Sequence, residues 1–219
     1  MTDPYHTGPR EEPIVFTVGA VTCTKVSVGP MDNNAYLLTP SEGPLVLIDA
    51  AAEAATLLDL IGTRPLGTVV TTHRHTDHLG ALARVVRDTG AAPVAGRPDV
   101  DAITEQTGIR SRGVWTGDTI PVGTTSLEVI GLAGHTPGGI ALALRPDDGP
   151  THLFTGDSLF PGGVGKTLTP RDFSALLGNV AALVFEPFGD ETLVHPGHGD
   201  STTLGAERPH LDEWRARGW

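Results

Sequence analysis

Short apolar and β-branched runs fill the first third of the chain: IVFTV, TKVSV, AYLLT and PLVLIDA. Glycines, prolines and polar residues separate them, as at hairpins and strand ends. AAEAATLLDLIG then spaces its apolar residues as a helix does and meets Gly62 near its end. GTVVTTH reads as a buried strand. After it, HLGALARVVRDTG puts Leu79, Leu82, Val85 and Val86 on one helical face. PDVDAITEQTG predicts a short helix entered through a proline. The pattern then returns, with SLEVIGLAG, GIALALR and HLFTGD as strands and ETLVHPGHG as a last strand and turn. Between them TPRDFSALLGNVAAL predicts a helix with Thr169 as cap and Pro170 in the first turn. Strands and helices followed by strands and helices again predict an α/β chain of two similar halves, packed sheet against sheet with helices outside. No sequence repeat and no low-complexity linker appears, so one domain over residues 14–219 is expected, behind a disordered lead-in over 1–13.

Composition changes this picture little. A chain of 219 residues buries enough surface to need no disulfide or metal merely to hold a core. No apolar run reaches the roughly 18 residues that a membrane span needs. The first residues, MTDPYHTGPREEP, lack a charged-then-apolar signal pattern. Cys23 is the single cysteine, which excludes an internal disulfide and an all-cysteine zinc site. A reducing, cytoplasmic location is expected. Fifteen basic residues against 26 acidic give a net charge of −11, which argues against nucleic acid or an anionic membrane as the main partner. A small molecule is the expected partner, and nothing in the sequence speaks to oligomeric state.

The chemistry is concentrated in TTHRHTDHLGAL, at residues 71–82, where His73, His75, Asp77 and His78 fall within six residues. A strand ending at His73 would put His75 on the same side two residues later. The following turn into a helix would carry Asp77 and His78 to another side of the same point. Imidazole and carboxylate together suit zinc, iron or manganese better than calcium or copper(I). Three later segments have the same character: GLAGHTPGG presents His135, HLFTGDSLF presents Asp157 and VHPGHGD presents His198, each just past a strand. His6, His152, His195 and His210 are assigned no site role, with His195 bracing its turn.

In order, these motifs resemble the metallo-β-lactamase superfamily, over essentially the whole chain after about residue 14. The resemblance implies an αββα sandwich of two mixed sheets packed face to face with helices outside. It also implies two divalent metal ions, zinc first with iron or manganese as alternatives. One ion would take His73, His75 and His135, the other Asp77, His78 and His198, with Asp157 bridging both. Asp49, closing PLVLIDA, matches an aspartate that supports a ligand histidine through its other ring nitrogen. A bridging hydroxide would attack a carbonyl, with Asp77 and Asp157 as the catalytic carboxylates.

FPGGVGKT, at 160–167, resembles a phosphate-binding loop, but Phe160 stands where the first glycine belongs and Pro170 starts the next helix too late. In the glyoxalase II-like branch a basic residue near this point binds the substrate carboxylate, which makes Lys166 the candidate. The bridging Asp157 and the strand MDNNAYLLT resemble that branch and disfavour β-lactam hydrolysis. Only about twenty residues follow His198, too few for the added C-terminal glutathione-gripping domain of glyoxalase II proper. A single-domain hydrolase of a thioester or related ester is therefore expected, with a lactonase as an alternative. A different class, the mononuclear iron persulfide dioxygenases, shares the fold and would use His73, His135 and Asp157. A metal-binding regulator without catalysis is a third reading.

Overall fold

The computed structural model describes residues 4–8 and 11–218. Seven strands form the first sheet in sequence order: β1 (Ile14–Val18), β2 (Val21–Val28), β3 (Asn33–Pro40), β4 (Leu45–Ile48), β5 (Leu66–Thr71), β6 (Ala92–Gly96) and β7 (Arg112–Val114). β1 to β4 pair antiparallel, and β4 to β7 pair parallel. The parallel pairs need crossovers, supplied by α1 (Ala54–Ile61), α2 (Leu82–Thr89) and α3 (Val100–Thr107). The second sheet comprises β8 (Thr119–Val122), β9 (Thr125–Gly131), β10 (Ile140–Leu144), β11 (His152–Gly156), β14 (Leu193–Pro196) and β15 (Thr202–Thr203), in the order β15-β14-β11-β10-β9-β8. Only β11 and β14 run parallel in it, joined through α4 (Pro170–Val180). A small hairpin, β12 (Leu159–Phe160) with β13 (Gly163–Val164), leaves the end of β11.

The two-residue period of a strand sorts the apolar side chains into three layers. On β3, Tyr36 and Leu38 face the second sheet and pack with Val46, Ile48, Val70, Leu142 and Phe154. Ala35 and Leu37 face the other way, toward Leu57 of α1, Leu82 and Val85 of α2 and Ile103 of α3. Behind the second sheet, Ala141, Ala143, Leu153 and Val194 meet Phe173, Leu176 and Leu177 of α4. The result is the αββα sandwich that the sequence implies, with two mixed sheets face to face and helices outside.

Three features depart from the sequence reading. β5 ends at Thr71, so His73 and His75 lie in the loop beyond it rather than on a strand end. The Thr72 amide is taken by the Asp49 carboxylate and its carbonyl by Ile140 N, which draws the chain out of the ladder. The segment after His198 folds as two short helices, α5 (Leu204–Glu207) and α6 (Leu211–Arg217), with Trp214 buried against Phe185. Within the expected disordered lead-in, residues 1–3, 9 and 10 lie outside the described residues, but Tyr5 and Thr7 are docked. The Tyr5 ring meets Phe16 and His195 at centroid distances of 4.9 and 5.2 Å, and Thr7 is buried. The buried Lys25 ammonium donates to Tyr5 O at 2.9 Å and to Gly199 O at 2.7 Å. No helix among the described residues is long and apolar enough to cross a membrane.

Candidate metal centre

Every sequence-predicted donor comes to one end of the sandwich. The loop after β5 carries His73 and His75, and a 3₁₀ turn over Thr76–His78 carries Asp77 and His78. His135 follows β9, Asp157 follows β11 and His198 follows β14. The donor atoms form three overlapping groups: His73, His75 and His135; His73, His78 and Asp157; Asp77, His78 and His198. Asp157 lies among them, with Oδ2 at 3.5 Å from His135 Nε2 and 3.4 Å from His198 Nε2, and Oδ1 at 3.4 Å from His78 Nε2. His73 Nε2 is 3.9 Å from the same carboxylate.

The outward bonds of the rings decide what faces inward. His78 Nδ1 donates to Asp49 Oδ2 at 2.9 Å, and His198 Nδ1 donates to Met31 O at 2.8 Å. His135 Nδ1 donates to Lys166 O. Thr72 Oγ1 gives its own proton to Asp49 Oδ2, so it accepts from His73 Nδ1 at 3.0 Å. Since these acceptors hold the Nδ1 protons, each neutral ring turns a bare Nε2 lone pair toward the cluster. His78 Nε2 and His198 Nε2 then face each other at 3.1 Å. Two lone pairs at that separation repel unless a proton or cation lies between them. His73 Nε2, His135 Nε2 and Asp157 Oδ1 are buried and lack a hydrogen-bond partner, which otherwise costs stability. This donor set fits divalent metal ions, and the outward bonds are the kind that hold metal-ligating histidines.

Local electrostatics follow from the same crowding. Burial and the neighbouring His78 push His73 well below its usual pKa. Burial and His135 lower His75. At His78 burial opposes protonation, but Asp49 overcomes it and raises the pKa. His198 also works against its burial and is raised to about 9 by Asp157, Met31 O and Asp77. Burial opposes ionisation of Asp157, yet the bond from His198 and the surrounding imidazoles hold its pKa well below the usual carboxylate range.

Asp49 is buried with φ of 57°, a left-handed conformation that aspartate tolerates better than most residues. From there its carboxylate reaches Thr72 N, Thr72 Oγ1 and His78 Nδ1. Lys166 is exposed and contributes its carbonyl to His135. Residues 159–164 form a hairpin and α4 begins only at Pro170, so FPGGVGKT lacks the helix a phosphate loop requires. His195 is bonded to His152 and Ser201, away from the donor groups.

Two further residues were not singled out from sequence. Asn33 Nδ2 donates to Asp77 Oδ2 at 2.9 Å and fixes that carboxylate. Asp99, buried beyond β6, bonds to both loops that carry His73, His75 and His135. Neither stands near a donor in sequence, so only the fold reveals them.

A two-sheet sandwich with this histidine–aspartate cluster at its end defines a metallo-hydrolase type of fold. The family model for the metallo-beta-lactamase superfamily matches residues 28–205, and the chain belongs to that superfamily. It is similar to hydroxyacylglutathione hydrolase GloC of Haemophilus influenzae, 27% identical over 205 residues that cover 84% of this chain and 93% of that one. A hydroxyacylglutathione hydrolase of a Polaromonas species is 35% identical over 167 residues, and there the match covers 75% of this chain but 61% of the relative. Among solved structures, TTHA1623 in a di-iron-bound form superposes with a TM-score of 0.67 at 32% identity, covering 84% of this chain and 96% of that one.

Proposed function

We propose that this protein is a hydrolase that uses two divalent metal ions to cleave a thioester or related ester, of the hydroxyacyl-thiol kind named in its relatives. The observation that carries the reading is the second donor group, Asp77, His78 and His198. Its inward nitrogens approach to 3.1 Å; Asp49 and Met31 O hold His78 and His198 from outside, and the Asn33 amide donates to Asp77 while lying 3.5 and 3.4 Å from those two nitrogens. A cation between these donors would relieve that contact. His73, His75 and His135 would hold one ion and the second group the other, with Asp157 shared. Zinc is the expected metal, and iron or manganese suits the same donors. Such ions supply Lewis acidity and acidify water toward neutrality.

The chain's own residues then divide the work. Asp157 stays ionised between the two groups. Asp77, half-buried and fixed by Asn33, orients the nucleophile and accepts its proton. Lys166, on the loop that holds His135, takes the carboxylate of the substrate.

A second reading is favoured by one observation. The buried atoms without partners are His73 Nε2, His135 Nε2 and Asp157 Oδ1, together with Asn34 Oδ1, Thr71 Oγ1 and Ser111 Oγ. His73, His135 and Asp157 are the two-histidine, one-carboxylate set of a mononuclear iron persulfide dioxygenase. Elemental analysis of protein purified without added metal separates the readings. About two ions per chain, with chelator-sensitive turnover on a panel of thioesters and lactones, supports the hydrolase. About one iron, with oxygen consumed on a persulfide, overturns it. His198→Ala is expected to reduce thioester hydrolysis by at least ~10²-fold, the scale of losing a group that acts on the transition state. A mononuclear enzyme would lose much less.

A further inference from the structure

Asp49 has a counterpart on the opposite side of the cluster. Asp99 ends the short turn Arg97–Asp99 that follows β6 and is fully buried. Its Oδ2 accepts from Arg74 N at 3.1 Å and from Thr136 Oγ1 at 2.6 Å, and its Oδ1 accepts from Gly138 N at 2.9 Å. The Arg74 guanidinium lies 3.7 Å away and balances the charge. Arg74 sits between His73 and His75, and Thr136 follows His135 directly. One carboxylate therefore ties together the two loops that bring His73, His75 and His135 into a single donor group. None of these bonds goes to the three rings.

The surrounding backbone is built to let this carboxylate in. A Cβ on Gly138 would lie 2.4 Å from Asp99 N, and one on Gly96 would lie 1.9 Å from Gly138 O. Only glycine allows the corner after β6 and the 135–139 loop to approach so closely. Asp49 makes the matching set of bonds to Thr72 and His78, the latter a member of the other donor group.

We infer that Asp99 is a positioning residue for one metal site only: it sets the His73–His75–His135 pocket, whereas Asp49 reaches His78 of the other pocket directly and His73 through Thr72, so that Asp99 alone can weaken a single site. The inference rests on the two-metal reading above.

The test is metal binding, followed with zinc(II) in competition with a chromophoric chelator and with cobalt(II) through its visible absorption. Asp99→Asn keeps the shape but turns an NH₂ toward groups that are themselves donors, Arg74 N on one side or Gly138 N on the other. In the wild type two binding steps are expected. In Asp99→Asn one step should weaken by about 10–100-fold, the usual effect of losing an outer hydrogen bond to a metal site. The other step should keep its affinity and its cobalt spectrum. Asp49→Asn should weaken both steps, since Asp49 bonds His78 directly and His73 through Thr72. Thr136→Val removes one bond and leaves the carboxylate, so it carries the test if Asp99→Asn does not fold; the same step should weaken, by less. Circular dichroism of the metal-free variants checks the fold. Two unaltered steps in Asp99→Asn, or equal weakening of both in a folded variant, would overturn the inference. A wild type that binds no metal, or binds in one step, would instead overturn the two-metal reading and take this inference with it.

Discussion

At the scale of single residues, the balance between protons and cations at His198 sets how the site responds to pH. The group is raised to about 9, so without metal it carries a proton through the neutral range. A metal ion must displace that proton. On the proposed two-ion reading, apparent affinity for the ion at His198 should therefore fall as pH drops below about 9, with close to one proton released from His198 per ion bound at neutral pH. Zinc titration calorimetry at pH 7 in buffers of different ionisation enthalpy measures that release directly; none at all would sink the idea. The donors themselves were legible in sequence because His73, His75, Asp77 and His78 crowd one loop. His135, Asp157 and His198 were legible only once that loop gave them a context. Asp99 and Asn33 were not, because their partners lie more than twenty residues away and a lone aspartate or asparagine carries no periodic signal.

At the scale of elements, the strands and long helices followed from the period of their apolar residues. The end of β5 did not, because a side chain, Asp49, takes the next amide that a ladder would have used. The C-terminal helices escaped for another reason. α5 has four residues and α6 seven, too short for a helical period to repeat. Their value lies in one ring: Trp214 fills the layer behind the second sheet beside Phe185. Trp214→Ala should cost about 3–5 kcal/mol through the cavity it leaves, seen as a lower denaturation midpoint. Metal content should be unchanged, since Trp214 touches no donor. A variant as stable as the wild type would mean that α6 contributes little to the core.

At the scale of the whole molecule, a buried histidine pair joins the second sheet to the strands facing it. His152 Nδ1 lies 2.9 Å from His195 Nε2, and His195 Nδ1 lies 3.0 Å from Ser201 Oγ, with Phe16 stacked on both rings. Burial lowers His152 to about 4, and burial with His152 and Lys25 holds His195 well below its usual value. Both folded pKa values lie under the unfolded one, so the unfolded chain binds more protons as pH falls. Their contribution to stability is intact above the unfolded value and is lost as pH drops toward about 4. Denaturant titrations between pH 7.5 and 4.5 should show this loss. His152→Gln should flatten it; an identical slope would remove the pair from the account.

The Lys25 ammonium, which holds Tyr5 O with one proton and Gly199 O with another, has a practical corollary. Gly199 is the residue after His198, so whatever pulls on Tyr5 pulls on the turn that carries this candidate ligand. Removing residues up to Thr7 is therefore expected to change metal affinity as well as handling. Metal occupancy is best compared between proteins tagged at opposite ends before any kinetic constant is assigned to the native chain.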